Sequence, residues 1–143
     1  MQSRVAALGE LGVYKYVVIL SLYQRKLLLS RHKDRDTWET QGGHIEPGET
    51  PLQAAQRELY EESGAAEFMI EPAFDYQAGD SRAGEEHSAA NGMVFIAKIT
   101  ELGALPQSEM AEVRLFDGLP ENLTYPGITP VLYRRAREMR LLG

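Results

Sequence analysis

The stretch GGHIEPGETPLQAAQRELYEESGA, residues 42–65, holds the strongest secondary-structure signals in this 143-residue chain. Thr50 favours the N-cap of a helix, and Pro51 follows at the first helical position, where a missing N–H costs nothing. Gln53 stands three residues after Thr50 and completes a capping box. Gly64 suits the left-handed conformation that ends many helices. Together these signals predict a helix over residues 51–63.

The predicted helix separates its acids from its apolar residues. The apolar residues that should pack on a sheet share one face: Leu52, Ala55 and Leu59. Glu61 and Glu62 follow Glu58 by three and four positions, so the three carboxylates crowd one adjoining arc and repel one another. A hard divalent cation such as Mg²⁺ would remove this repulsion, because it prefers carboxylate and water oxygens. The spacing therefore indicates a metal site, although an acidic helical face in isolation is usually a solvated surface.

Four further positions fit such a site. Arg57 precedes Glu58 and can orient one of the carboxylates, with Glu49 as its own partner. Gly42 and Gly43 carry no side chain, so the backbone there can approach a metal ion or a phosphate closely. The same residues in a different context would be read as an ordinary turn and a surface ion pair.

The rest of the chain predicts one α/β domain, residues 1–143, built as a sandwich with a mixed sheet. β-branched and aromatic runs predict strands at 14–22, 26–31, 67–76, 93–99 and 113–116, with a short extended piece at 38–40. Residues 24–25 form the turn of a hairpin. Residues 32–36 and 77–91 are polar and predict loops, and a final helix is expected from Tyr125-Pro126 to about Leu141.

Composition narrows the class of protein. The net charge is −6, whereas proteins that grip long nucleic acid usually present a basic face. The chain has no cysteine, which excludes a disulfide scaffold, a thiol nucleophile and a thiolate metal site. No apolar run is long enough to cross a membrane, and the first residues do not resemble a secretory signal. The lack of cysteine fits a reducing cytoplasm, and we expect a cytoplasmic protein. Both a monomer and a homodimer remain open.

Residues 43–65 resemble the Nudix box, and every fixed position of that motif is matched. The pattern is a glycine, five residues, Glu, seven residues, and then Arg-Glu-apolar-any-Glu-Glu-any-Gly-apolar. The matching positions are Gly43, Glu49, Arg57, Glu58, Leu59, Glu61, Glu62, Gly64 and Ala65. The segment SEMAEVRLFDGLP, residues 108–120, resembles the late strand region of the same family, which often carries a further acid; Glu109 and Glu112 are the candidates here.

The resemblance implies a Nudix α/β/α sandwich and hydrolysis of a diphosphate linkage in a nucleoside phosphate. It implies metal ligation by Glu58, Glu61 and Glu62, joined by the Gly43 carbonyl, with Mg²⁺ as the expected ion and Mn²⁺ as an alternative. Arg57 would belong to the catalytic group and Glu49 would support it. Glu62 and Glu109 are the two hypotheses for the general base.

Outside the box, two positions are expected to bind substrate. Arg31 lies in a basic patch that either clamps phosphates or is a solvated loop; the other members are His32, Lys33 and Arg35. Trp38, the single tryptophan, either stacks on a base or packs in the protein. His87, with Glu85 and Glu86, either touches the substrate or a second metal, or belongs to a solvated loop.

Several functions remain open at this point. We favour a nucleoside triphosphate, including an oxidised form such as 8-oxo-dGTP, cut to monophosphate and pyrophosphate. The alternatives are an ADP-ribose or nucleotide-sugar pyrophosphatase, which often carries an extra N-terminal strand region, and a nucleotide sensor without catalysis. A prenyl diphosphate isomerase of this family uses a cysteine, which this chain lacks. The Asp/Asn-rich loop of an EF-hand is also absent from the sequence.

Overall fold

The computed structural model describes residues 2–79 and 90–143. In these ranges the strands are β1 (Gln2–Ala6), β2 (Tyr16–Tyr23), β3 (Lys26–His32), β4 (Trp38–Glu39), β5 (Gln41–His44), β6 (Ala65–Gly79), β7 (Ala90–Leu102) and β8 (Met110–Phe116). The helices are α1 (Pro51–Ser63) and α2 (Thr129–Glu138). Neither of these helices is long and apolar enough to span a bilayer.

The strands form one mixed sheet with the order β1-β6-β7-β2-β3-β4. The β2–β7 pair is parallel over residues 16–23, whereas the other strand pairs are antiparallel. The first half of β2 pairs with β5, and its end turns through the predicted hairpin into β3. β8 pairs with β3. The short strand β5, which carries Gly42 and Gly43, is therefore held against the start of the central strand β2.

The core lies on both faces of this sheet. Val17 and Ile19 of β2 pack with buried residues of α1, whereas Leu20 packs with buried residues of α2. β7 repeats this division, with Phe95 on the α1 side and Val94 on the α2 side. Side chains of a strand alternate between the two faces, so one strand can serve both layers. The predicted α/β/α sandwich with a mixed sheet is confirmed.

Helix α1 begins and ends where the sequence predicts. The Thr50 hydroxyl accepts from the Gln53 N–H at 3.2 Å, and the Gln53 side chain accepts from the Thr50 N–H at 2.9 Å. Gly64 ends the helix with a φ of 80°, and a Cβ at this position would lie 2.5 Å from the Ala104 carbonyl oxygen. The position therefore requires glycine both for its conformation and for space.

The expectation that the first strand begins at residue 14 is wrong. Residues Gln2–Ala6 form β1, which pairs antiparallel with β6 from Gln2↔Gly79 to Ala6↔Asp75. This short strand has no strong apolar alternation, and only its Val5 packs against the core. Pairing with the long strand β6 supplies the order that its own sequence does not indicate.

Two further boundaries differ from the prediction. Residues 77–79 and 90–91 are strand rather than loop. Residues 77–78 pair with residues 90–91 of β7, and Gly79 pairs with Gln2 of β1. Residues 80–89, including Glu85, Glu86 and His87, lie outside the described residues. Helix α2 begins at Thr129 rather than Tyr125 and ends at Glu138. A turn at Tyr125 precedes it, in which the Ile128 N–H donates to the Tyr125 carbonyl.

Candidate functional site

Arg57, in the middle of α1, is the centre of an ion-pair network. Its Nε and Nη2 donate to the two carboxylate oxygens of Glu49 at 2.7 and 2.9 Å, which is a bidentate pair. Nη2 also donates to the His44 carbonyl at 3.1 Å, and Nη1 donates to Glu58 at 2.8 Å. Arg57 therefore ties the loop before the helix, the end of β5 and one acid of the helix together.

These bonds shift the pKa values of Glu49 and Arg57 in the directions that keep both residues charged. The guanidinium of Arg57 lowers the pKa of Glu49 to about 2, and the backbone N–H of Glu46 acts in the same direction. Glu49 in turn raises the pKa of Arg57. The predicted pairing of Arg57 with Glu49 is thus present in the structure.

Glu58 occupies the space that a glycine leaves open. A Cβ on Gly43 would lie 2.6 Å from Glu58 Oε1, so any side chain there would displace the carboxylate. Burial raises the pKa of Glu58, and the hydrogen bond from Arg57 opposes this rise. Gly43 therefore allows the backbone of β5 and a carboxylate of α1 to approach each other, as its lack of a side chain predicts.

Glu62 is the most strongly perturbed acid of the site. Its Oε1 accepts from the Gly42 N–H at 2.8 Å. Burial raises its pKa to about 8, the Gly42 hydrogen bond opposes the rise, and the charges of Glu58, Glu39 and Glu109 add to it. A partly buried carboxylate that faces other acids is a group whose charge a bound cation would stabilise.

The three acids of α1 do not converge as a preformed cage. Among residues 2–79 and 90–143, no three acidic or histidine side chains lie close enough to form a metal-binding cluster. Arg57 draws Glu58 and also contacts Glu61 at 3.4 Å, whereas Glu62 is directed to Gly42. The side chain of Glu61 is 48% exposed. The sequence predicts that the three acids share one arc of the helix. In the structure, Arg57 binds Glu58 and Glu61, whereas the Gly42 N–H binds Glu62.

The donor set nevertheless fits a hard divalent cation. Its side-chain donors are the carboxylate oxygens of Glu58, Glu61 and Glu62, and Gly43, whose backbone lies against the Glu58 carboxylate, would add its main-chain carbonyl. Burial disfavours the charged forms of Glu58 and Glu62. A cation at this place would offset that cost, which makes these four residues the ones that could hold Mg²⁺ or Mn²⁺.

Glu39 is a further acid near the site that the sequence did not single out. Its side chain is 10% exposed and accepts from the Thr124 hydroxyl at 3.2 Å, with Arg35 at 3.5 Å. Burial raises its pKa, and its charge contributes to the raised pKa of Glu62. Its position three residues before Gly42 is the one signal in the sequence that could have identified it.

The late acids occupy different environments. Glu112 accepts from Arg31 Nε at 2.9 Å across the β3–β8 pair, and Arg31 lowers its pKa. Glu109 is 79% exposed at its side chain and lies 3.7 Å from His32 Nε2. Glu109 is therefore the more accessible of the two acids, and it is close enough to Glu62 for its charge to raise the Glu62 pKa.

The two predicted substrate contacts are both engaged within the protein. Arg31 is paired with Glu112 and also donates to the Arg35 carbonyl at 2.9 Å, so a phosphate would have to compete with these partners. Trp38 is 5% exposed, with Phe116 packed edge-on at 5.1 Å and the Arg114 guanidinium 4.8 Å from its ring centre. Trp38 has the packing role of the two considered, because a covered ring offers no face for a base.

Comparison with known proteins gives a consistent family match. The family model described as the NUDIX domain matches residues 14–127. "Putative 8-oxo-dGTP diphosphatase YtkD" of Bacillus subtilis is 34% identical over 113 residues, which are 77% of this chain and 66% of that protein. "RNA pyrophosphohydrolase" of Francisella philomiragia is 39% identical over 54 residues, 38% of this chain and 35% of that protein. The chain thus spans less than two thirds of the length of these curated relatives.

Solved structures show the same fold. The pyrophosphohydrolase BsRppH of Bacillus subtilis superimposes with a TM-score of 0.79 at 23% identity, covering 99% of this chain and 93% of that chain. A NUDIX hydrolase of Nitrosomonas europaea has a TM-score of 0.65 at 26% identity, covering 90% of this chain and 73% of that chain. The first of these likenesses therefore extends over almost the whole chain, including β1.

Proposed function

The chain belongs to the Nudix family, and from this premise we propose that it hydrolyses the diphosphate linkage of a nucleoside triphosphate. Water attacks one phosphorus, a new P–O bond forms, the bridging P–O bond breaks, and the monophosphate and pyrophosphate are released. The observation that carries the proposal is the partly buried Glu62, which accepts from Gly42 and faces three other acids. Such a group is suited to hold a cation that in turn binds phosphate.

The residues of the site divide this work between them. Glu58, Glu61 and Glu62, with the Gly43 carbonyl, would hold Mg²⁺ or Mn²⁺, which when bound neutralises charge on the phosphate oxygens. Arg57 holds Glu58 through one guanidinium nitrogen and Glu49 through the other two. Glu62 and Glu109 are the two candidates to take the proton of the attacking water.

An oxidised nucleoside triphosphate such as 8-oxo-dGTP is the substrate we favour. The support is the relative named for 8-oxo-dGTP, which is similar over 77% of this chain. A second candidate is ADP-ribose or a nucleotide sugar. Enzymes of that kind often carry an extra N-terminal strand region, and the structure contains an N-terminal strand, β1. Long nucleic acid is disfavoured by the net charge of −6.

A substrate panel separates these functions. The full chain is incubated with Mg²⁺ and 8-oxo-dGTP, dGTP, ADP-ribose, UDP-glucose or an RNA with a 5′-triphosphate, and the products are resolved by ³¹P NMR. Monophosphate and pyrophosphate from 8-oxo-dGTP at a kcat/KM above that for dGTP is the expected result. Turnover of ADP-ribose alone would favour the second candidate, and nucleotide binding without turnover of any compound would favour a sensor.

A further inference from the structure

Glu62 belongs to a closed ring of hydrogen bonds that also includes Ser30, Gln41 and Gly42. The Glu62 carboxylate accepts from the Gly42 N–H at 2.8 Å, and the Glu62 backbone carbonyl accepts from the Ser30 hydroxyl at 2.7 Å. Gln41 precedes Gly42 in the chain, and its Nε2 donates to the same Ser30 hydroxyl at 2.9 Å. Glu62 is therefore held at two points, and Gln41 joins those points to each other.

Each bond of this ring has only one workable direction. The Gln41 amide nitrogen donates its two hydrogens to the Ser30 hydroxyl and to the Leu28 carbonyl, so the Ser30 hydrogen remains for Glu62. The Gln41 oxygen accepts from the Ser21 hydroxyl at 2.6 Å. Ser21, Ser30 and Gln41 are each 0% exposed, so water cannot replace a lost partner cheaply.

The ring also closes an open end of α1. The last four carbonyls of a helix have no partner within the helix, and the Glu62 carbonyl is one of them. Ser30 supplies the partner from the neighbouring strand β3. The direction in which the Glu62 side chain leaves the helix is thus set by the sheet as well as by the helix itself.

We propose that Gln41 and Ser30 are positioning residues, which hold the Glu62 carboxylate in place for the bound cation and its phosphate. They touch neither the cation nor the substrate, and they act through Gly42 and through the Glu62 backbone. Because the effect is on the arrangement of Glu62, this inference rests on the proposed function of the site. Removal of a group that holds a metal ligand by a hydrogen bond typically lowers metal affinity or activity by about 10–100-fold.

Two serine variants provide a matched test. Ser30→Ala opens the ring, whereas Ser21→Ala removes an equally buried hydroxyl that also bonds to Gln41 but lies outside the ring. Mn²⁺ binding is titrated without nucleotide by water-proton relaxation, and the unfolding temperature of each variant is measured in parallel. We expect both variants to unfold at lower temperature, and Ser30→Ala alone to weaken Mn²⁺ binding, by about tenfold.

A second variant and a measurement on the unaltered protein guard against a folding defect. Gln41→Met keeps most of the side-chain volume but removes the amide, and it should weaken Mn²⁺ binding in the same direction as Ser30→Ala. In the wild-type protein the Gly42 amide hydrogen should exchange slowly with solvent. Fast exchange at Gly42, or equal Mn²⁺ affinity in wild type, Ser30→Ala and Gln41→Met, would overturn the positioning role.

The outcomes separate this inference from the proposed function. If Ser30→Ala and Ser21→Ala weaken Mn²⁺ binding equally, the network is merely structural and the inference fails, while hydrolysis by the wild type can still stand. If the wild type binds Mn²⁺ with the expected variant pattern but hydrolyses no nucleotide, the positioning role stands and the proposed function fails. A wild type that binds no Mn²⁺ overturns both.

Discussion

Glu62 and Glu109 are the two residues between which the general base has to be chosen. Glu62 is partly buried and bonded to Gly42, whereas Glu109 is 79% exposed. We expect Glu62→Gln to lower kcat by about 10²-fold or more at saturating Mg²⁺, because a positioned base contributes about 10²–10⁴-fold. Glu109→Gln should lower kcat less. Steady-state kinetics on the substrate found in the panel measures both effects.

A matched exposed acid controls for the loss of charge alone. Glu67 is exposed on β6 and takes no part in the site, so Glu67→Gln should keep the wild-type kcat. A near-normal kcat for Glu62→Gln would remove Glu62 as the base. If Glu109→Gln instead lost the larger factor, Glu109 would take that role.

The pair of Arg57 and Glu49 predicts a specific pH dependence of stability. The folded-state pKa of Glu49 is lowered from 4.5 to about 2, so its stabilising effect is fully present above pH 4.5 and is lost as the pH falls towards 2. Glu49→Gln should therefore be less stable than wild type at pH 7, and the difference should shrink between pH 4.5 and 2. Urea unfolding at pH 7, 4 and 3 measures it, with Glu101→Gln as an exposed-acid control. A difference that stayed constant across this range would contradict the assignment.

At the scale of residues, the sequence predicts those site members that lie within one short stretch. Arg57, Glu58 and Glu49 have fixed separations on a helix and the turn before it, so their pairing follows from local geometry. Gln41 and Glu39 could not be found in this way, because their partners are Ser21, Ser30 and Thr124 on other elements. Which side chains from other strands reach a site depends on the register of those strands, and a single sequence does not show that register.

At the scale of elements, the N-cap of α1 makes a measurable contribution. Thr50→Ala removes the acceptor for the Gln53 N–H and breaks the capping box, which should cost about 1 kcal/mol of unfolding free energy. Thr50→Ser keeps the hydroxyl and should cost much less. Urea unfolding at pH 7 compares the three proteins. Equal losses in both variants would mean that the methyl group, and not the cap, stabilises this end of the helix.

The sequence predicts the elements whose ends are marked by local signals, and it misses those that depend on distant partners. Helix α1 was predicted from Pro51 to Ser63 because a cap residue, a proline and a glycine mark its ends locally. Strand β1 and the ends of β6 and β7 were not predicted, because they are ordered by pairing with residues about 70 positions away or across the 80–89 segment. Local signals fix a helix, whereas an edge strand depends on the partner it meets.

At the scale of the whole molecule, a net charge of −6 opposes the binding of phosphate anions. Two arginines near the site are already engaged, since Arg57 is paired with Glu49 and Glu58, and Arg31 with Glu112. A bound cation would be the charge that makes the site attractive to a nucleotide. Nucleotide affinity should therefore depend on the cation. The reason is the net charge of the whole chain and not the charge of one side chain.

A cation that binds the folded chain and not the unfolded one must also raise its unfolding temperature. At a concentration 100 times its dissociation constant the gain is about 2.7 kcal/mol, which for a chain of this size corresponds to roughly 5–10 °C. We expect Mg²⁺ or Mn²⁺ to produce this rise in the wild type, and EDTA to abolish it, when unfolding is followed by circular dichroism. The variant with Glu58, Glu61 and Glu62 all changed to Gln should show no rise. Without metal it should unfold no earlier than wild type, because it lacks the charges of Glu58 and Glu62 that partial burial disfavours. A variant that gained as much from Mn²⁺ as the wild type would place the cation elsewhere on the molecule.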